Sequence, residues 1–366
     1  SRPTGGNRVT ALPETMKAAV THDVNDMRVE KVPLPNYEPD DVLVRVEMCG
    51  ICGTDLHILS GHMRPLWPPH YPFIQGHEWC GTVAALGRNV KRDLKVGDRV
   101  IAEPTIGCGQ CARCIRGDYH ICEAAGKEIE GGYRLLGHTF NGAFSEYGVA
   151  PPNNLHRIPD SMSWQEGVIV NQVVIAMHAL DRGGRVEPTD KVAITGPGLL
   201  GLCVLELAKH YGASKTYITG RGPRLEVAKE LGADFAIDIT REDPVRIVMD
   251  DTGGAGVDLV VECSGSPEAT LQAIGMVKRG GRVVLEGITG GREIPINTDR
   301  LVLDEISLLG ARGSPNCYPP SIQLIADGAV NAERMLTHEF PLEEIGRAME
   351  MFEKREGNPL RVAVKP

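Results

Sequence analysis

Apolar positions along this chain follow two rhythms, and the change falls near Ser161. From Met16 to about Pro159 short apolar runs alternate with Pro, Gly and Asn punctuation. Val42-Leu43-Val44-Arg45-Val46, Gly81 to Leu86 and Asp98 to Ala102 read as strands of an all-β, barrel-like unit. Met16 to Val20 reads as its first strand. Gly107 to Cys122 has no periodicity and too few apolar residues to fold unaided, so a metal must supply its core.

After Ser161 a polar cap with Glu166 opens an apolar helical run to about Leu180. Strands at Lys191–Thr195, Thr216–Thr219, Val257–Glu262 and Arg282–Leu285 then alternate with helices at Leu199–Tyr211, before Leu231 and at about Pro267–Val277. Apolar strands alternating with helices predict an α/β fold with a doubly wound parallel sheet. A last strand, Ile306 to Gly310, precedes a Pro-rich stretch. The tail from about Ser314 resumes mixed structure that could return to the first unit.

Composition narrows the function. The 366 residues suit two domains, and 39 basic against 48 acidic residues leave a net charge of −9. That balance argues against nucleic acid or an anionic membrane as partner, since both reward basic surfaces. No stretch has the roughly 18 to 20 uncharged apolar residues of a membrane span. Residues 1–15 are polar and read as an extension outside the fold. The cytoplasm is the expected compartment, because the clustered spacing among the ten cysteines favours metal ligation over a disulfide framework. Cys49, Cys80, Cys203, Cys263 and Cys317 stand singly and read as small core residues.

Three constellations carry chemistry. Cys108, Cys111, Cys114 and Cys122 supply four soft thiolates, a complete tetrahedron for a structural zinc. Iron–sulfur runs usually close with a shorter last gap and a following Pro; here the gap is seven residues and Glu123 follows. Cys52 with His77 and Glu78 mixes donor types from separate segments, as an open catalytic site does. Gly196-Pro197-Gly198-Leu199-Leu200-Gly201 follows a strand and opens a helix, the setting for a dinucleotide pyrophosphate. The next strand ends at Gly220-Arg221-Gly222-Pro223-Arg224, with no acid to hold ribose hydroxyls. That predicts a preference for NADP over NAD, with Arg221 on the 2′-phosphate; the plainer reading makes Arg221 a solvated loop residue.

Taken with Gly50-Ile51-Cys52-Gly53-Thr54-Asp55-x-His57, Val96-Gly97-Asp98-Arg99-Val100 and Asn141 to Tyr147, these motifs resemble the zinc-dependent medium-chain alcohol dehydrogenases, particularly the polyol and threonine dehydrogenase branch. The resemblance runs from Met16 to the end. It implies a GroES-like catalytic β-barrel domain over 1–167 and 314–366, with the zinc lobe at about 107–123, and a Rossmann domain over 168–313. It further implies Cys52 and His77 as catalytic zinc ligands, Asp55 behind His77, and a relay from Thr54 through a cofactor ribose hydroxyl to His57. Cys263, Gly287 and Ile288 would face the nicotinamide, and Arg361 would reach the pyrophosphate. Ile306 to Gly310 would pair across a two-fold axis in a homodimer or homotetramer.

One departure matters. Where family members supply a third ligand, this chain has Val170-Asn171-Gln172, and amides bind zinc poorly. Glu78 is therefore the expected third ligand, Asn171 at most a weak or indirect partner, and His178 a packing residue. The expected activity is NAD(P)-linked, zinc-assisted oxidation of a secondary alcohol, with a polyol or sugar-derived alcohol as one candidate. A zinc-free quinone or enone reductase lacks these ligands, and a zinc-ribbon binding protein explains only the four cysteines. Residues 58–73, with Met63, Trp67, Pro68, Pro69, His70 and Tyr71, are expected to form the loop over the substrate pocket; a plain surface loop is the other reading.

Overall fold

The computed structural model describes residues 12–64, 67–127 and 132–366. Its β-rich half is organised by one long strand, Val42–Ile51, whose branched side chains are buried along most of its length. This strand pairs antiparallel with Glu78–Leu86 and with Tyr147–Ala150. Its far end pairs with the C-terminal strand Arg361–Lys365, so the tail returns to the β-rich half. Register positions the chain beyond that end. Gly50 stands opposite Glu78 and Ile51 opposite Val362, so the chain leaving at Cys52 emerges beside His77, Glu78 and Arg361.

The second half is a six-stranded, wholly parallel sheet. Across the sheet the strands run Phe235–Asp238, Lys215–Gly220, Lys191–Thr195, Val257–Glu262, Val277–Leu285 and Ser307–Gly310. Chain order reverses between Lys191–Thr195 and Val257–Glu262, the crevice where such sheets take ligands at their carboxyl ends. The four-residue strand Phe235–Asp238 and the helix Pro244–Asp251 have no counterpart among the elements that the sequence pattern predicts. The strand is short, lies at the sheet edge and is mostly half-buried, so it carries no apolar run to detect.

Trp164–Arg182 joins the halves as one helix, and the expected boundary at 167/168 falls inside it. Ser163 caps its start: Glu166 N donates to Ser163 Oγ at 3.1 Å, and Ser163 N donates to Glu166 Oε2 at 2.7 Å. Beyond the cap the helix is apolar nearly all round, which only an interior position satisfies. It shares one buried cluster with Met48, Cys80 and Ile101 of the strands and with Ile194, Leu202 and Val261 of the sheet domain. Asn171 and Gln172 are thereby carried into the interior. Among the described residues no helix is long and apolar enough to cross a membrane.

Candidate active site and metal centres

Ligand atoms of Cys52, His77 and Glu78 lie within 4.8 Å of one another, and the last two residues are buried. His77 Nε2 faces Glu78 Oε1 at 3.6 Å, close to the roughly 3.3 to 3.5 Å edge of a tetrahedron with metal–ligand bonds of about 2.0 to 2.2 Å. A thiolate, an imidazole and a carboxylate converging at that spacing fit a zinc ion. Behind the ring, Asp55 Oδ1 stands 3.4 Å from His77 Nδ1, while Asp55 Oδ2 accepts from Cys52 N at 2.9 Å. Asp55 thus ties the two ligand-bearing segments together and orients the ring. Burial opposes charging His77, yet Asp55 and Cys52 outweigh it and raise the ring's pKa well above the histidine norm.

Glu78 is held from two sides. Gln172 Nε2 donates to Oε1 at 2.9 Å, and Arg361 Nη2 forms an ion pair with Oε2. A carboxylate oxygen keeps a second lone pair, so these contacts leave room for ligation. No sequence motif gives either partner this role, and Gln172 stands in sequence only where a ligand is missing. Arg361 differs from its expectation of a pyrophosphate contact. It is only 2 % exposed, and Nη1 donates to the Ile51 carbonyl at 3.0 Å. The strand register brings it to the carboxylate rather than to an open groove. Asn171 is also engaged, because its Oδ1 accepts from the Tyr318 hydroxyl at 2.7 Å.

Thr54 Oγ1 lies 3.8 Å from Cys52 Sγ, on the helix Gly53–Leu59. His57 is three residues on along that helix and exposed. Residues at i and i+3 share a helix face, so the two can connect the pocket to solvent.

His138, which no sequence pattern marks, belongs to the same pocket. Its ring centroid is 4.3 Å from that of His77, and Trp67 packs edge-on against it at 4.7 Å. Nδ1–H donates to the Leu136 carbonyl at 3.1 Å. Burial, then the neighbouring His77, pushes the His138 pKa down to about 3, so the ring is neutral. A lone histidine in a Gly-His-Thr turn carries no spacing signal. Of the expected pocket loop, Trp67 makes this contact, Pro65 and Leu66 lie outside the described residues, and Arg64 stacks over Tyr71.

The four cysteines of the lobe also lie within 4.8 Å of one another. Cys108 and Cys114 Sγ are 3.9 Å apart, as are Cys111 and Cys122 Sγ. Thiolates at about 2.3 Å from one zinc stand about 3.8 Å apart, so the cage suits a single ion. Amides of Cys114 and Glu123 lower the Cys111 thiol to about 6, whereas burial raises Cys114 to about 12. A bound cation must displace that last proton.

At the sheet's carboxyl edge Gly196 adopts φ 95°, and Gly198 precedes the helix Leu199–His210 with no side-chain cap. A Cβ on Gly201 would sit 2.0 Å from the Gly196 carbonyl oxygen, whereas one on Gly198 would meet only Arg224 Nη1, at 3.9 Å. The first helical N–H groups are thus presented to an anion, with Leu199 and Leu200 flanking the turn. Gly220 has its own cause: a Cβ there would strike Pro197 Cδ at 2.1 Å, so Arg221 is the first side chain available after the strand. Arg221 is exposed. Arg224, a further arginine of the same turn, donates from Nη2 to Pro359 O at 2.6 Å, and Nη1 is the nearest atom to the Gly198 turn. Cys263, Gly287 and exposed Ile288 lie just past the ends of the neighbouring strands Val257–Glu262 and Val277–Leu285. Next to them, burial raises the Glu286 carboxyl to about 9, which leaves a neutral acid on that wall.

Residues 38–160 match the alcohol dehydrogenase GroES-like domain, and 200–327 match the zinc-binding dehydrogenase family. A sorbitol dehydrogenase of Bacillus subtilis is 34 % identical over 97 % of this chain and 98 % of its own. A D-arabitol-phosphate dehydrogenase of Enterococcus avium is 33 % identical over 91 % and 92 %. Among solved structures, a zinc-binding dehydrogenase of Sinorhizobium meliloti bound to NADP superposes with a TM-score of 0.88 at 31 % identity, covering 97 % of this chain and 100 % of that one. The chain is an oxidoreductase of the zinc-dependent medium-chain alcohol dehydrogenase family, in its polyol and threonine dehydrogenase-like branch.

Proposed function

We propose that this enzyme oxidises a secondary hydroxyl of a polyol or sugar-derived alcohol, preferring NADP, with one catalytic and one structural zinc per chain. The observation that carries this reading is the convergence of Cys52, His77 and Glu78 beside Thr54 at the end of strand Val42–Ile51. When bound, the cation supplies Lewis-acid polarisation of the alcohol oxygen and the nicotinamide supplies a hydride acceptor.

The chain's own groups do the rest. Cys52, His77 and Glu78 hold the cation, while Asn171, an uncharged amide that accepts from Tyr318, is at most a weak or indirect partner. Gln172 and Arg361 fix the Glu78 carboxylate, and Asp55 fixes the His77 ring. Thr54 takes up the alcohol proton as it releases its own, and His57 exchanges it with solvent. Gly196, Gly198, Leu199, Leu200 and Gly201 cradle the pyrophosphate. Cys263, Gly287 and Ile288 line the nicotinamide end, and Arg221, with Arg224 close by, receives the adenosine phosphate. Ten free cysteines fit a reducing, cytoplasmic setting. The unpaired edge at Ser307–Gly310, near exposed Val302 and Leu303, fits a homodimer or homotetramer.

A panel of polyols and simple secondary alcohols with each cofactor, followed by absorbance of the reduced nicotinamide, tests the reading. NADP should give the higher kcat/KM, and Arg221→Ala should lower the NADP value by about 10-fold or more while sparing NAD, because a charge-assisted contact is worth about 1.5 to 3 kcal/mol. Equal use of both cofactors by the parent enzyme contradicts the preference. Glu78→Gln should weaken metal affinity and turnover together by at least about 10- to 100-fold, the range seen when even the supports of ligands are lost. Full zinc occupancy with normal turnover would remove Glu78 from the ligand set.

A further inference from the structure

The floor of the proposed nicotinamide site consists of two turns that follow adjacent strands, 263–266 after Val257–Glu262 and 286–288 after Val277–Leu285. They pack backbone to backbone. A Cβ on Gly287 would sit 2.1 Å from Gly265 N, and one on Gly265 would sit 2.4 Å from Ile288 O. Most of their N–H groups are already committed. Cys263 N donates to the Thr195 carbonyl, while Ser264 N and Gly265 N donate to the Glu262 carboxylate. Ser266 N donates to Ser264 Oγ, and Glu286 N and Gly287 N both donate to the Glu262 carbonyl, at 2.9 and 3.0 Å.

One side chain of this floor keeps hydrogen-bonding capacity in hand. Glu286 Oε2 is buried and, among the described residues, has no partner. Burial raises the carboxyl to about 9, so at neutral pH it carries a proton and offers a donor beside its acceptors. Strand alternation directs it. Val284 belongs to the cluster shared with helix Trp164–Arg182 and with Met48 of the β-rich half, whereas Val283 belongs to the opposite cluster. Glu286 stands two residues beyond Val284 and so lies on the same face, towards the β-rich half. The residue as a whole is only partly buried, so a ligand in the crevice can reach it. A leucine would fill the position without stranding a polar atom.

We propose that Glu286 is a cofactor-binding residue whose carboxyl group pairs with the carboxamide of the nicotinamide. This rests on the dehydrogenase reading and deepens it. A carboxylic acid and a primary carboxamide are complementary. The acid O–H donates to the amide carbonyl, and the amide N–H donates back to the acid carbonyl. Engaging both groups at once fixes the rotation of the ring in the crevice.

Fluorescence titration of zinc-loaded enzyme with NADP and with its 3-acetylpyridine analogue tests the pairing. The analogue keeps the carbonyl and replaces the amide nitrogen by a methyl group. The parent should bind NADP about 10-fold more tightly than the analogue, because a site built around a hydrogen bond rejects the ligand that lacks it. Glu286→Leu should weaken NADP by about 10-fold, erase the discrimination and leave adenosine 2′,5′-bisphosphate, the other half of the cofactor, within about twofold. Its unfolding midpoint should be no lower than the parent's, since it loses a stranded acid. Glu286→Gln offers an amide to an amide and should keep most of the parent's affinity and discrimination. Parent affinity in Glu286→Leu, an equal loss of NADP and adenosine 2′,5′-bisphosphate, or a parent that binds analogue and NADP alike overturns the inference alone. A parent that binds neither NADP nor NAD overturns the functional reading itself, and this inference with it.

Discussion

Replacing Cys52 by alanine is expected to abolish alcohol oxidation, with kcat/KM falling on the order of 10⁴-fold. Polarisation of the alcohol oxygen by a cation contributes several kcal/mol to the barrier, and each 1.36 kcal/mol is tenfold in rate. Cys52 is the single thiolate of its site, and its backbone N–H also anchors Asp55, which in turn orients His77. Its loss therefore strips the charge that holds the cation and leaves only His77 and Glu78. The variant should carry one zinc per chain in place of two and should still fold, because the four-cysteine lobe and the core clusters are untouched. Elemental analysis alongside a steady-state assay checks both halves. A variant with two zinc ions and more than a tenth of the parent activity contradicts the assignment.

Replacing Cys111 by serine is expected to produce the largest loss of stability. The lobe has few buried apolar side chains, and Ile115 on its short helix is 74 % exposed. Its order depends on the thiolate cage, and structural zinc contributes about 10 to 16 kcal/mol in small zinc-bound peptides. The lobe is also wired to the core. Tyr119 donates to Glu103 Oε1 at 2.6 Å and accepts from Asn316 N at 2.8 Å, and Glu103 Oε2 pairs with His156 at 2.9 Å. Melting the cage breaks the Tyr119 contacts as well. The expected result is a fall of about 10 °C or more in the unfolding midpoint, rapid proteolysis within 107–123, and the loss of one zinc. An unchanged midpoint with one zinc lost would show that the lobe stands without its ion.

Element type and chain order were legible in the sequence wherever local pattern and local chemistry agreed. The capped helix after Ser163, the glycine turn at Gly196 and the thiol spacing at Cys108 each carry their cause within a few residues. The same holds for Cys52 and His77, whose short motifs advertise metal binding. What sequence could not show was pairing across the fold. Arg361 reaches Glu78 because the C-terminal strand inserts beside Val42–Ile51, a contact between residues 283 positions apart. Gln172 reaches Glu78 because an apolar helix lies between the two halves, and in sequence it reads only as the absence of a carboxylate. His138 sits in a turn with no repeat or spacing, so only the approach of three segments reveals it. Phe235–Asp238 escaped because a short edge strand buries little.

Diffraction data collected on either side of the zinc absorption edge, from active enzyme purified without chelators, put the whole account to its hardest trial. Two anomalous peaks per chain are expected, one inside the four-cysteine cage and one touching Cys52 Sγ, a His77 ring nitrogen and a Glu78 oxygen. Density at the cage alone, from crystals whose dissolved protein still oxidises alcohols, would contradict it.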